Sequence, residues 1–324
     1  MSGSLIPSIL ATNEALPRGT VRGVSFPERV HITESSPRDG LQSLGAFIPT
    51  EAKAKLIDDL AAAGVKTFDA VSFVSPKWVP QMADGAEVVA AVTAPDVTLG
   101  GLVPNMKGLE AGLEAGLTYF GVLTAASEEF CQRNLNATVD ESMHRVRNIL
   151  FEAPGEVRFR GYISTATHCP FEGEQDPDWV AHLAETLIEW GVEDVYLGET
   201  IGKATPYHVE RLLGEVLDRV PVERVGVHFH DTYGQAVANT VSALDHGIDK
   251  MDSSAGGLGG CPYAPGAMGN VATEDLIWLL DGMGIEHGLD GLIVARVARA
   301  FCDTHGLDYQ SRAGRAMLAA AGSE

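Results

Sequence analysis

Residues 225–234, Val-Gly-Val-His-Phe-His-Asp-Thr-Tyr-Gly, join an apolar run to a polar cluster. The valine-rich run predicts a buried strand that ends at the cluster. Side chains two apart on a strand point to the same side, so we expect His228 and His230 to face one space. Two neutral imidazoles aimed at one point suit a divalent metal. Taken alone, the pair fits two hydrogen-bonded structural histidines equally well.

Several other polar side chains lie at or near the carboxyl ends of predicted strands. In chain order they are Arg38, Asp39, Asp69, Glu199, Asp231 and Asp252. If those strands close into a barrel, the side chains meet at one rim, where barrel enzymes carry their chemistry. Independent structural roles would not be expected to share that geometry. The pattern therefore favours one active site built from distant parts of the chain.

A metal site at this rim would combine Asp39, His228 and His230, with Asn270 as a further candidate. The set offers two nitrogens and two oxygens. Hard oxygen ligands with positions open to water or substrate favour Mg²⁺ or Mn²⁺, and Zn²⁺ stays open as an alternative. The set contains no thiolate, which argues against a structural zinc site.

Arg38 and Cys261 are candidates for direct chemistry. Arg38 is either an ion-pair partner of Asp69 or Glu199, or a group that holds a carboxylate or stabilises a developing enolate. Cys261 lies between glycines and a proline. Such a loop can close over a ligand and bring the thiol to it.

Two lysines, Lys77 and Lys107, stand in segments rich in proline, serine and asparagine. Each is a candidate contact for phosphate groups, and each also fits an ordinary solvated surface lysine. The residue pattern leaves both interpretations open.

The elements that must position these residues alternate regularly from residue 30 onward. Apolar runs predict strands at 30–34, 66–73, 97–103, 117–124, 157–164, 194–198, 224–230 and 249–253. Helical patterns fall between them, for example at 50–63, 107–115, 140–151, 177–190, 205–220, 234–246 and 273–281. Eight strands alternating with helices predict an α/β fold of the (β/α)8 TIM-barrel type.

The chain is expected to contain one barrel with two appendages. Residues 1–27 carry three prolines and no clear periodicity, which predicts a loose N-terminal arm without the pattern of a signal or transit peptide. The catalytic barrel is assigned to 28–284. Helical patterns near 289–303 and 307–321 predict additional C-terminal helices, within 285–324, that pack on the barrel.

Charge and cysteine content narrow the possible partners and location. The chain has 44 acidic and 23 basic residues and a formal charge of −21. Nucleic acids and anionic membranes attract cationic surfaces, so neither is expected as a partner. No apolar run is long enough to span a membrane. The four cysteines are widely spaced, which predicts reduced thiols in a cytoplasm.

Five segments of the chain resemble the hydroxymethylglutaryl-CoA lyase family, which lies within a larger group of metal-dependent barrels that includes the isopropylmalate synthases. They are PRDGLQ at 37–42, SFVSPKWVPQM at 72–82, LGETIG at 197–202, HFHDTYGQ at 228–235, and the stretch 252–275. The segments occur in the same order over about residues 30 to 300, which makes the match specific.

The resemblance implies metal-assisted retro-Claisen cleavage of 3-hydroxy-3-methylglutaryl-CoA (HMG-CoA) to acetyl-CoA and acetoacetate, a step of leucine degradation. It implies Mg²⁺ or Mn²⁺ bound by Asp39, His228, His230 and Asn270. By the same resemblance, Arg38 is the catalytic arginine, and Cys261 is a loop cysteine that helps to transfer protons. Barrels of this type are often homodimers, which predicts the same assembly here by analogy.

Two carboxylates are candidates for the base that takes the substrate's hydroxyl proton. His228 counts among the catalytic residues, but as a metal ligand it is less available as the base than Asp69 or Glu199. Gln42, together with Lys77 and Lys107, is predicted to contact the acyl-CoA thioester.

Three positions depart from the family's pattern. The family usually has glutamate where this chain has Asp69, aspartate where it has Glu199, and commonly glycine where it has His168. These changes put the acyl substituent in doubt. The alternatives are a lyase or condensing enzyme for another branched 3-hydroxyacyl-CoA, of the citramalyl or isohexenylglutaryl type, and a non-catalytic barrel that binds CoA or metal.

Overall fold

The computed structural model describes residues 26–260 and 269–322, and its centre is a closed barrel of eight parallel strands. The barrel strands are β1 (His31–Glu34), β2 (Thr67–Ser72), β3 (Thr98–Leu102), β4 (Tyr119–Ala125), β5 (Arg158–Ser164), β8 (Asp194–Glu199), β9 (Val225–Phe229) and β10 (Lys250–Ser253). Their order around the barrel is β1-β10-β9-β8-β5-β4-β3-β2. The predicted TIM barrel is confirmed.

A short antiparallel hairpin follows β5 and was not predicted from the sequence. It consists of β6 (His168–Cys169) and β7 (Gly173–Glu174). Two-residue strands lie below the length at which alternation of side chains can be recognised, so hydrophobic patterning gives no signal for them. The hairpin stands at the carboxyl end of the barrel strands, next to the site described below.

Helices surround the barrel, and several begin at side-chain caps that the sequence carries. In chain order they are α1 (Thr50–Ala62), α2 (Gly85–Ala91), α3 (Met106–Glu114), α4 (Glu128–Leu135), α5 (Val139–Glu152), α6 (Pro177–Glu189), α7 (Pro206–Leu217), α8 (Ala236–Asp245), α9 (Thr273–Met283), α10 (Gly291–His305) and α11 (Arg312–Ala321). Thr138 and Glu141 form a reciprocal capping box at α5, and Asn105 accepts from the Gly108 backbone at α3. Such caps satisfy backbone N–H groups that have no partner within the helix.

The apolar core lies between the strands and the helices, whereas part of the barrel interior is polar. Phe68, Phe120 and Leu197 are fully buried in that outer core. Inside the barrel, Arg160 donates to the hydroxyls of Tyr119 and Thr33, at 2.7 and 3.0 Å. The interior therefore carries a hydrogen-bonded network in place of a purely apolar filling.

The C-terminal helices share the apolar core of the barrel. Val294 and Phe301 of α10 are buried in the same cluster as the barrel's outer residues. Asp275 near the start of α9 accepts from Ser311 and from the backbone of Ala313, both at 2.7 Å, and so fixes the start of α11. These contacts join the C-terminal helices to the barrel, and the assigned boundary at residue 284 stays a prediction.

Most of the predicted N-terminal arm, residues 1–25, lies outside the described residues. Across the part of the chain that is described, no helix combines the length and the apolar character needed to cross a membrane.

Candidate active site

The site begins where β1 ends, in a π-helical turn formed by Ser36–Gly40. Such wide turns are rare and occur frequently at functional sites. Pro37 lies at the start of the turn, where the absence of a backbone N–H costs no hydrogen bond. The turn places the side chains of Arg38 and Asp39 at the carboxyl end of the barrel, and both are buried.

Asp39, His228 and His230 form a group able to hold a metal ion. The Nε2 atoms of the two imidazoles lie 3.3 Å apart. Each lies 3.9 Å from Asp39 Oδ2. The three residues come from the ends of β1 and β9, as the sequence predicted. One carboxylate oxygen and two imidazole nitrogens thus converge on a single point.

Asn270 lies beside this group, and its role as a metal ligand stays a prediction. Its Nδ2 donates to Asp39 Oδ2 at 2.9 Å and to Leu258 O at 3.2 Å. Its Oδ1 is buried and has no hydrogen-bond partner among the described residues. A Cβ at Gly259, whose φ is +130°, would meet Asn270 Nδ2 at 2.7 Å. Glycine is therefore needed there for Asn270 to reach Asp39.

A second set of residues orients His228 from inside the barrel. The His228 Nδ1–H donates to Asp252 Oδ2 at 3.1 Å, and the Tyr162 hydroxyl donates to the same oxygen at 3.0 Å. Arg160 Nη1 donates to the other oxygen of Asp252 at 3.1 Å. A carboxylate on Nδ1 leaves the lone pair on Nε2, as is usual for metal-binding histidines.

The charges of the site keep the carboxylate of Asp39 ionised and the imidazole of His230 neutral. Burial tends to raise the pKa of Asp39, but the Arg38 guanidinium and then the two imidazoles outweigh it and lower the pKa to about 2. Burial and the neighbouring His228 lower the pKa of His230 to about 4. Burial also tends to lower the pKa of His228, but the hydrogen bond to Asp252 and the charge of that carboxylate raise it overall. An ionised carboxylate beside a neutral imidazole suits a cation.

Arg38 is clamped between two carboxylates, so both sequence interpretations of this residue remain compatible with its position. Its Nε donates to Asp69 Oδ2 at 2.7 Å, its Nη2 pairs with the same carboxylate, and its Nη1 donates to Asp39 Oδ1 at 2.7 Å. Burial opposes the charge of Arg38, but the two carboxylates raise its pKa. The pKa of Asp69 is raised by its burial, against the attraction of Arg38. The guanidinium also forms part of the cavity wall.

Glu199 lies on the other side of its strand from the metal-binding group. In the pairing of β8 with β9, Gly198 is in register with His228, and Glu199 with Phe229. Side chains alternate along a strand, so the Glu199 side chain points to the side opposite His228. Its Oε1 accepts from the backbone of Lys203 at 3.1 Å and from the Thr167 hydroxyl at 3.2 Å.

The bonds to Glu199 hold the loop that precedes α7. Burial raises the pKa of this carboxyl to about 7, although the backbone N–H groups of Ala204 and Lys203 act in the opposite direction. The structure therefore does not bring Glu199 together with the other predicted site residues.

A cavity of about 850 Å³ opens onto Arg38, Asp39, His228 and His230. Its size is within the range of small-molecule sites. Gln42 lines it and donates to Asp39 Oδ1 at 2.7 Å.

The predicted phosphate contacts lie outside the wall of this cavity. Lys77 and Lys107 are exposed, and the neighbours of each line the wall: Ser75 and Trp78 beside Lys77, and Asn105 beside Lys107. Gly260 also belongs to the wall, but Cys261 lies outside the described residues.

Four residues in or next to the site were not predicted from the sequence. Tyr162 lines the cavity and meets the His228 ring edge-on, with centroids 6.2 Å apart. Arg133 and Arg145 line the cavity's outer part and bring positive charge to a strongly acidic chain. Arg160 had one available signal, since it is a charged residue in the middle of the predicted strand 157–164.

The chain has clear relatives among known proteins. The sequence model of the HMGL-like family matches residues 29–300. A Pseudomonas aeruginosa protein named 3-hydroxy-3-isohexenylglutaryl-CoA/hydroxy-methylglutaryl-CoA lyase is 47% identical over 300 residues, which cover 92% of this chain and 100% of the relative. The mitochondrial hydroxymethylglutaryl-CoA lyase of Bos taurus is 47% identical over 283 residues, or 87% and 86% of the two chains. The crystal structure of hydroxymethylglutaryl-CoA lyase from Pseudomonas aeruginosa superposes with a TM-score of 0.88 at 47% identity, over 91% of this chain and 99% of that one.

Proposed function

Since the chain belongs to the HMGL-like family, we infer that it is a carbon–carbon lyase that cleaves HMG-CoA to acetyl-CoA and acetoacetate. The observation that carries this assignment is the convergence of Arg38, Asp39, His228 and His230 on one cavity. Relatives that are 47% identical over most of the chain are named as HMG-CoA lyases. The resemblance noted in the sequence and the geometry of the site support the same reaction.

The residues at the cavity fit a divalent cation, which we propose to be Mg²⁺ or Mn²⁺. Asp39, His228, His230 and Asn270 would hold it, and the buried Oδ1 of Asn270, which has no hydrogen-bond partner among the described residues, would supply an oxygen. When bound, such a cation supplies Lewis acidity that lowers the pKa of the substrate hydroxyl. Oxygen donors with open positions favour Mg²⁺ or Mn²⁺ over a closed zinc site.

We propose that Asp69 takes the proton of the 3-hydroxyl group. Of the two carboxylates that the sequence left as candidates, Asp69 is joined through Arg38 to Asp39, whereas Glu199 is bound to the loop before α7. Burial raises the pKa of Asp69, which makes the carboxylate a better proton acceptor. Loss of the proton lets the C2–C3 bond break, with the ketone of acetoacetate formed at C3.

The electron pair of that bond passes to the acetyl-CoA fragment as an enolate. Arg38, whose guanidinium lines the cavity, is proposed to stabilise the enolate oxygen through charge-assisted hydrogen bonds. The proton that completes acetyl-CoA is assigned to the thiol of Cys261, on the basis of the family resemblance. Each product then carries one of the two carbons of the broken bond, and no redox cofactor is needed.

Replacing Arg38 by Met tests this assignment. We expect Arg38→Met to lower kcat for HMG-CoA by at least about 1000-fold, since a charged donor aimed at the enolate is lost. Mn²⁺ binding should persist, because Arg38 is not a ligand. Acetyl-CoA release and the Mn²⁺ content of the same preparation give the two readouts. Near-normal turnover in a variant that still binds Mn²⁺ would contradict the role of Arg38.

The acyl group is tested with a panel of branched 3-hydroxyacyl-CoA thioesters. HMG-CoA should give the highest kcat/KM, ahead of citramalyl-CoA and 3-hydroxy-3-isohexenylglutaryl-CoA. The Pseudomonas relative carries both hydroxymethylglutaryl and isohexenylglutaryl in its name, so the second of these competitors is the more informative. Higher kcat/KM for either competitor would overturn the substrate while leaving the lyase chemistry in place.

The remaining expectations about partners and location are proposals of the same kind. We propose that the chain works as a homodimer in the cytoplasm. Light scattering on the purified chain tests the first point. Fractionation of the cells that produce it tests the second.

A further inference from the structure

Away from the Asp39 group, we propose that His168, Glu174 and His208 bind a zinc ion between the β6–β7 hairpin and the first turn of α7. The three residues form a second group, within the described chain, whose ligand atoms lie close enough to share a metal. They are absent from the wall of the large cavity. The inference is independent of the proposed lyase reaction.

The separation of the three side chains suits a metal after small adjustments. One ligand atom from each residue lies within 4.8 Å of the other two, a limit that the Asp39 group also meets. In a tetrahedral zinc site with bonds of about 2.0–2.1 Å, neighbouring ligand atoms lie roughly 3.3 Å apart. The rings of His168 and His208 are already in contact, with centroids 4.7 Å apart and planes at 71°. Changes of side-chain torsion can close the remaining gap.

The three ligands stand on ordered elements. His168 and Glu174 are opposite each other across the antiparallel hairpin, so their side chains share one face. His208 lies in the first turn of α7, where its Nδ1 contacts the Thr205 hydroxyl at 2.9 Å. A bond on the second imidazole nitrogen orients metal-binding histidines in general.

His168 supplies the observation that points to a ligand. The residue is 6% exposed, and its Nδ1 is buried without a hydrogen-bond partner among the described residues. An unsatisfied buried polar atom costs free energy that a bound metal would recover. Burial, and then the charges of His208 and Lys203, lower the pKa of His168. A lowered pKa favours the neutral ring, which is the form that binds a metal.

Zinc binding would leave the ion pair of Glu174 in place but change the hydrogen bonds of His208. Glu174 Oε1 accepts from Arg211 Nη1 at 2.5 Å, which leaves its second oxygen for the metal. With zinc on Nε2 of His208, the Nδ1–H donates to the Thr205 hydroxyl. The backbone N–H of Thr205 now donates to that nitrogen at 3.1 Å, and it would then have to donate to water instead.

The donor set selects the metal. Two imidazoles and one carboxylate, with a fourth position for water, form a set that zinc accepts, and these three residues include no amide oxygen such as the one that Asn270 offers beside the Asp39 group. The ion would join the hairpin after β5 to the helix after β8. Thr167, the neighbour of His168, already donates to Glu199 at the end of β8. Zinc would thus add a second link between the segment after β5 and the segment after β8.

A zinc count on the full chain tests the proposal. The wild type and a His168→Asn/His208→Asn double variant are dialysed against excess Zn²⁺, then against zinc-free buffer, and zinc per chain is measured. The double variant should hold one zinc ion fewer than the wild type. His230→Asn, which alters only the Asp39 group, should keep the ion that the double variant loses. Equal zinc contents in the wild type and the double variant would overturn the proposal.

Matched controls keep this result interpretable. His144→Asn removes an exposed histidine on α5 and should leave the zinc count unchanged. If the double variant fails to fold, the milder Glu174→Gln change replaces it, because that side chain is exposed. Glu174→Gln should weaken zinc binding at this position at least about tenfold. An unchanged zinc affinity in Glu174→Gln would count against the site.

Discussion

At the scale of single residues, the convergence of the candidate ligands could be predicted because their chemistry and their spacing agree. His228 lies on β9 and His230 directly after it, and Asp39 lies in the turn that follows β1. Their role as metal ligands stays a proposal, which rests on residue type, position and the family resemblance. Asp252 was recognised as a polar residue on its strand, but its role as acceptor for His228 was not. That role depends on a tertiary contact between neighbouring strands, β9 and β10, which periodicity does not encode.

Asp252 should therefore act on the metal through His228. Asp252→Asn is expected to weaken Mn²⁺ binding about 10- to 100-fold. Without the charged acceptor, the His228 proton is no longer held on Nδ1, and the lone pair is no longer held on Nε2. Titration of the metal-free protein with Mn²⁺, followed by electron paramagnetic resonance, measures the affinity.

A second aspartate–histidine pair provides the matched control for Asp252. Asp281 binds His287 Nε2 at 2.9 Å, outside the active site. Asp281→Asn should leave Mn²⁺ binding unchanged. Wild-type Mn²⁺ affinity in a folded Asp252→Asn variant would show that Asp252 does not orient the ligand.

Lys77 and Lys107 remain predictions as contacts of the CoA phosphates. The double change Lys77→Ala/Lys107→Ala should raise KM for HMG-CoA about tenfold with little effect on kcat, since binding remote from the reacting bond is lost. The corresponding pantetheine thioester lacks the nucleotide phosphates, and its KM should not change.

The control for the two lysines is Lys55→Ala, which removes an exposed lysine of α1. Its KM for HMG-CoA should equal that of the wild type. A tenfold rise in KM for the pantetheine thioester as well would mean that the two lysines act on something other than the phosphates.

At the scale of elements, the strands and helices were predicted closely, whereas the connections were not. Apolar runs bounded by turn residues reveal buried parallel strands, and caps such as Thr138 mark helix starts. The β6–β7 hairpin escaped notice because two-residue strands have no measurable period. The sequence also did not predict that three buried carboxylates hold loops in place. They are Glu34, Glu199 and Glu274. Their partners include backbone N–H groups, which every sequence carries, as well as hydroxyl groups.

Glu274 holds the turn after β10 by hydrogen bonds, and its ionisation should make the free energy of unfolding depend on pH. Both its carboxylate oxygens accept from the Gly256 N–H, at 3.0 and 2.9 Å, and Oε1 also accepts from the Tyr309 hydroxyl at 2.9 Å. Burial raises its pKa to about 7, although these bonds act in the opposite direction. In the unfolded chain the group ionises at its ordinary pKa of 4.5.

Between pH 4.5 and about 7 the folded protein therefore holds this proton while the unfolded chain has lost it. The free energy of unfolding should fall as pH rises through that window, by at most about 3 kcal/mol for this group. Glu274→Gln cannot ionise and should reduce the slope. Urea unfolding of the metal-free protein at pH 5, 6 and 7 measures it, with the exposed Glu215→Gln as control. An unaltered slope in Glu274→Gln would contradict the assigned shift.

At the scale of the whole molecule, fold and family could be predicted because the evidence is distributed along the entire chain. Eight strand-and-helix units and five motif segments agree with one architecture. The net charge of −21 argues against nucleic acids and anionic membranes as partners, but it does not reveal where positive charge gathers locally. Arg133 and Arg145 come together at the cavity only through folding.

Metal dependence of HMG-CoA cleavage tests the central claim most directly. The protein is treated with a chelator and desalted, and acetyl-CoA release from HMG-CoA is measured before and after Mg²⁺ or Mn²⁺ is returned. We predict that turnover disappears with the metal and recovers with either cation, because Asp39, His228 and His230 are close enough together to hold one ion. Full turnover in the verified metal-free protein, or no cleavage of HMG-CoA after reloading, would contradict the account.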